Sequence, residues 1–356
     1  MSWLRCLLVE SQNHFYGHSA AFAAYLGRSR PRHIPGLVQH GWAARSPIST
    51  HFRDFPNIGG RGGADRLRLL VWSHTSKAWD PAAETRCTTA VGAPFAYLVK
   101  VAGQPPEPRD DQEKVVLMPV HGIQTQRVRG DHRGLARSWR EAEGPATVCL
   151  YAADAADPDI VAAYRQAGHR LVVLGERTDP AFLWRLWTLL GRADRVVSNR
   201  LSTPVLYAAH LGADVGVYGN AMRIDGEEIA ENDRLRALWP DLHGQHVDPA
   251  VAAAVSGHEL GVDHLLGPAR LERVLGWHRP AGRAAVDYWT VSPAQRAVVN
   301  LRRRSTKPVT APAGGVAMEL GWTAWLHGAL SYLPRRLPRS IPEAGASVEP
   351  LPVPQG

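Results

Sequence analysis

The chain has 356 residues, 45% of them hydrophobic and 21% charged, a length that exceeds one ordinary core and suits two α/β domains of average size. The formal net charge of +8 fits anionic partners: nucleic acid, an anionic membrane surface or phosphate-bearing small molecules. Only Cys6, Cys87 and Cys149 occur, in no CxxC spacing, which argues against a disulfide framework or a cysteine zinc site and for a reducing compartment.

The N-terminal stretch MSWLRCLLVESQNHFYGHS has an apolar patch too short for a signal peptide. No run reaches the ~18 apolar residues that span a bilayer, so the expectation is a cytoplasmic protein, with contact at the inner membrane face left open. Residues 3–9, 34–40, 67–72 and 88–91 read as short strands, and 19–26 as a helix. The glycine-rich segment 57–64 (NIGGRGGA) matches no phosphate-loop spacing and reads as a flexible loop.

Residues 103–113 (GQPPEPRDDQE) combine three prolines with a charge run and read as an exposed interdomain connection. The expected division is an acceptor-side domain over 1–102, this linker, and a donor-binding domain over 114–285. Helices over 286–333 and a disordered, Pro-rich tail over 334–356 complete the chain.

After the linker, strand and helix alternate. Strands are expected over 114–120, 146–151, 171–175, 195–198 and 215–218, and helices over 132–142, 158–168, 180–190 and 203–211, the last closed by Gly212. Residues 250–278 also read as helical. Such alternation implies right-handed parallel crossovers and a doubly wound sheet, in which ligands bind at the carboxyl ends of the strands.

The sharpest local signal is residues 196–219 (VVSNRLSTPVLYAAHLGADVGVYG). A buried strand runs into Ser198, Asn199, Arg200, Ser202 and Thr203, and Pro204 follows at the helix start. Hydroxyl, amide and free backbone N–H groups at a helix N-terminus form a phosphate site; the alternative is that Ser202 or Thr203 only caps the helix. Arg177 and His121 follow two other strands and could clamp a diphosphate, or serve as a surface ion-pair partner and a packed histidine. In the first domain His14 and His18 (HFYGHS) and His40 (QHGW) lie at strand ends, where a near-neutral pKa suits a general base. Asp154, Asp157 and Asp159 straddle a Pro-opened helix start and read as caps rather than metal ligands. HExxH, GxSxG, Walker and GxGxxG motifs are absent.

The pattern resembles bacterial glycosyltransferases of the GT-B type, in particular transferases of capsular and other surface polysaccharides. The resemblance rests on QHGW (39–42), LLVWS (69–73), AVGAPFAYL (90–98), MPVHG (118–122), LGER (174–177), SNRLSTPVLYAAHLG (198–212) and ELG with LERVLGW (259–277). It implies two Rossmann-like, doubly wound domains facing a cleft. His121, Arg177, Ser198, Asn199, Ser202 and Thr203 would then contact a nucleotide-sugar donor, and His40, before His14 and His18, would be the base. It also implies no metal and no other cofactor, a glycan or lipid-linked acceptor, and no nucleic acid partner. This chain shows no clear EX7E motif and no base-reading signature, so donor, acceptor and stereochemistry stay open. A polyol-phosphate or sugar-phosphate transferase on the same scaffold, and a non-catalytic nucleotide-sugar-binding protein, are the alternatives. Trp322, Trp325, Tyr332 and the arginines of 335–339 form either an interfacial helix with a basic tail or a helix packing across the domains.

Overall fold

A computed structural model describes residues 11–47, 69–75, 88–122, 127–226, 231–280 and Thr290. The expected strand at 3–9, the loop at 57–64 and everything expected beyond residue 290 lie outside the described residues. The protein is α/β with parallel sheets, and its contacts divide it into two compact units.

The larger sheet belongs to the second unit, which among the described residues holds 102–176 and 184–257. Its strands are β4 Val115–Leu117, β6 Thr147–Leu150, β7 Arg170–Val173, β8 Arg195–Ser198 and β9 Asp214–Val217, in the order β7-β6-β4-β8-β9. Every pairing is parallel, with Val116 opposite both Thr147 and Val196. Continuous apolar runs such as Val148 to Leu150 are what a sheet covered on both faces requires. The winding starts at β4, moves outward through β6 to β7, then returns to β8 on the other side of β4. A small antiparallel pair, β5 Val128–Arg129 with β10 Arg223–Ile224, lies apart from this sheet. The sequence pattern did not suggest it, because two residues are too few to show a period.

Three helices illustrate how the connections are fixed. His132–Glu143 buries Leu135, Ala136 and Trp139 on one stripe, and Asp131 caps it by accepting from Gly134 N at 2.8 Å. Pro158–Gln166 is capped by Asp157, which accepts from Asp159 N at 3.0 Å. Thr203–Leu211 ends at Gly212, as its sequence suggests. Leu117, Leu135, Trp139, Val148, Leu150, Tyr164, Leu171 and Val197 form the core of this unit.

The first unit holds, among the described residues, 11–47, 69–75, 88–101, 177–183, 258–280 and Thr290. Its sheet is β1 Leu37–Val38, β2 Leu69–Val71 and β3 Thr88–Ala90, parallel and in sequence order. Asn13 pins β1: its Nδ2 donates to Ile34 O and Gly36 O, and its Oδ1 accepts from Val38 N. The core joins Phe22, Ile34, Val38, Leu70, Val91 and Tyr97 to Leu266, Leu271, Val274 and Trp277.

Two expectations need correction. The chain passes between units at 101/102, close to the expected boundary, but residues 258–280 pack with the first unit and not with a 114–285 domain. The helical stretch expected over 250–278 is divided into Pro249–Glu259, the short 3-10 turn Val262–His264 and Pro268–Val274. The break is at Gly261, where φ is +63° and a Cβ would run into the Trp72 carbonyl. The linker is also less exposed than its composition implies, because it ends in the short helix Asp111–Lys114, and Glu113 within it is 4% exposed.

Candidate functional site

At the carboxyl edge of the five-stranded sheet, the reversal of winding places the end of β4 next to the end of β8. In sheets wound this way the crevice at the reversal is where ligands bind. The loops after β4, β8 and β9 are tied there by Asn199: its Oδ1 accepts from Val120 N at 2.8 Å and its Nδ2 donates to Asn220 O at 3.0 Å.

Ser198 is fully buried, and its Oγ donates to Arg200 O at 2.8 Å and accepts from Arg200 N at 3.2 Å. The Arg200 guanidinium is spent in the same way, on Asn232 Oδ1 and Met222 O. Ser198 and Asn199, expected as donor contacts, thus have their side chains engaged in shaping the turn. Ser202 and Thr203 come next along the chain. They are half-buried at the start of Thr203–Leu211, and Ser202 is the N-cap residue without its hydroxyl capping any N–H. Pro204 carries no N–H and Val205 N–H turns to Ser202 O at 3.1 Å, so what this helix start offers an anion is chiefly the positive end of its dipole.

His121 follows β4 and is exposed, its ring stacked on Tyr151 with centroids 4.7 Å apart and planes at 27°. Its Nδ1 donates to the Gly122 carbonyl at 2.9 Å, since a carbonyl can only accept. Asp154 was expected as a helix cap, but Asp157 is the cap. The Asp154 carboxylate, 8% exposed, instead accepts from Gly122 N at 3.3 Å. Burial pushes its pKa above the usual carboxylate value, against the opposing pull of the His121 charge and the Gly122 N–H. The spacing DAADPD could not show this, because the partner is 32 residues away in sequence.

In the first unit, Phe15 gathers two of the expected residues. The Arg177 guanidinium lies 4.7 Å from its ring centroid, and the His40 ring meets it edge-on at 5.7 Å. The backbone here is constrained: Tyr16 holds φ +55°, donates its N–H to Arg177 O at 2.6 Å, and precedes Gly17, where a Cβ would lie 2.6 Å from Pro180 O.

His14 does not share this setting. It is buried, with Nδ1 against Ser19 Oγ at 2.6 Å and Nε2 against His33 Nδ1 at 3.2 Å. Burial, and then the neighbouring His33, lower its pKa to about 3, and burial lowers that of His33 to about 4. A group so hard to protonate is a poor general base at neutral pH. His18 is also buried, its ring 6.2 Å from Trp72. Of the three expected bases only His40 is partly exposed.

The sequence reading missed a buried carboxyl in this unit. Glu259, 4% exposed, accepts from Trp42 Nε1 at 2.7 Å and from Thr75 Oγ1 at 3.0 Å, on the loops after β1 and β2. Burial raises its pKa. Cys149, pushed up to about 12 by burial, has no nucleophilic character. Among the described residues no three His, Cys, Asp or Glu side chains are placed to hold a metal ion, and no helix is long and apolar enough to cross a membrane. No protein-family model matches the chain, and no curated protein matches it.

Proposed function

We propose that the chain is a glycosyltransferase of the GT-B type, moving a sugar from a nucleotide-sugar donor to a glycan or lipid-linked acceptor. The observation that carries this reading is the reversal of strand order between β4 and β8, with His121 and the Ser202–Thr203 helix start at neighbouring strand ends. The donor diphosphate would sit at that helix start, where the dipole favours negative charge. His121 turns Nδ1–H to Gly122 O, and as an imidazolium it would also offer Nε2–H to a phosphate oxygen of the donor. The net positive charge of the chain suits such a donor and an anionic acceptor.

His40 is the residue assigned to deprotonate the acceptor hydroxyl. It is the partly exposed member of the three expected bases, and Phe15 holds its ring edge-on. Turnover tests this directly: the protein is incubated with UDP-, GDP-, TDP- and CMP-sugars, and nucleotide release is followed with and without acceptor glycans. One nucleotide class should be consumed, and His40→Ala should slow its consumption by about 10²-fold or more. Binding of a nucleotide sugar without any release of nucleotide would leave a binding protein and not a transferase.

A further inference from the structure

At the opposite, amino edge of the same sheet, Arg109, Glu113, Thr147, Arg170 and Arg192 line a small, open cavity. The enclosed part admits one water-sized group. Arg109 takes both oxygens of Glu113, its Nε donating to Oε1 at 2.6 Å and its backbone N–H to Oε2 at 2.7 Å. Arg170 donates to Asp110 Oδ2 at 2.6 Å. Arg192 has the weakest pairing of the three. Its NH1 stands 3.8 Å from Glu113 Oε1, beyond hydrogen-bonding distance, and its buried Nε–H has no partner.

Three guanidiniums thus share two carboxylates, and a guanidinium keeps its charge whatever its surroundings. A buried donor without an acceptor in a native fold calls for one, supplied by water or an ion. Water would satisfy the hydrogen bond but leave the surplus charge uncompensated, whereas an anion does both.

We propose that this cavity is a binding site for a phosphate-class oxyanion, which places one oxygen against Arg192 and Arg170 and keeps the rest of the group at the open mouth. The site is separate from the proposed nucleotide site, because it lies at the other ends of the same strands.

Thermal unfolding in millimolar potassium phosphate, compared with potassium chloride at equal ionic strength, tests it. Wild type should show a saturable rise in Tm of about 2–4 °C. The rise should vanish in Arg192→Gln and shrink in Arg170→Gln, the second variant covering failure of the first to fold. It should persist in Thr203→Val at the carboxyl edge, so that loss of this site and loss of the nucleotide site are told apart. No rise beyond chloride in wild type overturns the proposal. So does a rise that both arginine variants retain, or one that Thr203→Val alone abolishes.

Discussion

Asp154 accepts a hydrogen bond from the backbone N–H of Gly122 at 3.3 Å, so a buried carboxyl in the helix after β6 holds the loop after β4 that carries His121. The raised pKa of Asp154 means that the fold favours its neutral form. Its contribution to stability is therefore greatest below the unfolded carboxylate pKa and falls as pH rises through the folded value. Asp154→Asn keeps an acceptor and removes the charge, so its stability relative to wild type should improve from pH 4 to pH 7. Asp154→Leu orphans the Gly122 N–H and should cost about 1–3 kcal/mol. Urea midpoints of both variants across that range check this.

Ser198 and Thr203 lie five residues apart and should behave differently. Ser198→Ala removes the two bonds that close the turn on Arg200 and should destabilise the protein by about 1–3 kcal/mol. Thr203→Val, at a half-buried helix start, should weaken nucleotide binding in a protein that still folds. Paired thermal unfolding and titration with a nucleotide sugar separate the two effects.

The His14–His33 pair should make the first unit sensitive to acid. Both pKa values lie below the ordinary 6.5, at about 3 and about 4, so the folded chain holds these rings neutral while the unfolded chain protonates them. The stability they contribute is complete above pH 6.5 and is lost as pH falls towards 4, at up to ~1.4 kcal/mol per pH unit for each ring. Urea unfolding at pH 7, 6 and 5 should show this slope, and His14→Gln should flatten it. An unchanged slope in that variant would remove the pair as the cause.

Phe15 should matter for stability beyond its size. Phe15→Leu keeps an apolar side chain but loses the face under Arg177 and the edge contact with His40, and should cost about 1–3 kcal/mol. Arg177→Met, which keeps the length and drops the charge, should recover part of the packing and none of the cation–π attraction. Chemical denaturation of both variants measures the difference.

The second unit was legible in sequence because its signals are local. Pro-opened or Gly-closed helices and buried strands of four residues announced β6 to β9, and the helix Thr203–Leu211 was read to the residue. What stayed hidden depends on chain segments remote in sequence. Glu113 looked like part of a solvated linker because Arg170 and Arg192, which join Arg109 around it, come from far along the chain. Residues 258–280 followed the second domain in sequence, yet Leu271 and Trp277 bury against Phe22 and Ile34. Ser198 and Asn199 stand at the end of β8, and sequence could not show that Val120, Asn220 and Arg200 already occupy their polar atoms.

The central claim is that the carboxyl edge at the β4/β8 reversal binds a nucleotide diphosphate. Isothermal titration of the protein with UDP-, GDP-, TDP- and CMP-sugars, repeated on His121→Ala and Thr203→Val, tests it most directly. The account predicts that one nucleotide class binds and that each variant, still folded, loses about tenfold or more in affinity, the equivalent of ~1.4 kcal/mol. No binding by any nucleotide sugar, or binding that both variants leave untouched, would contradict it.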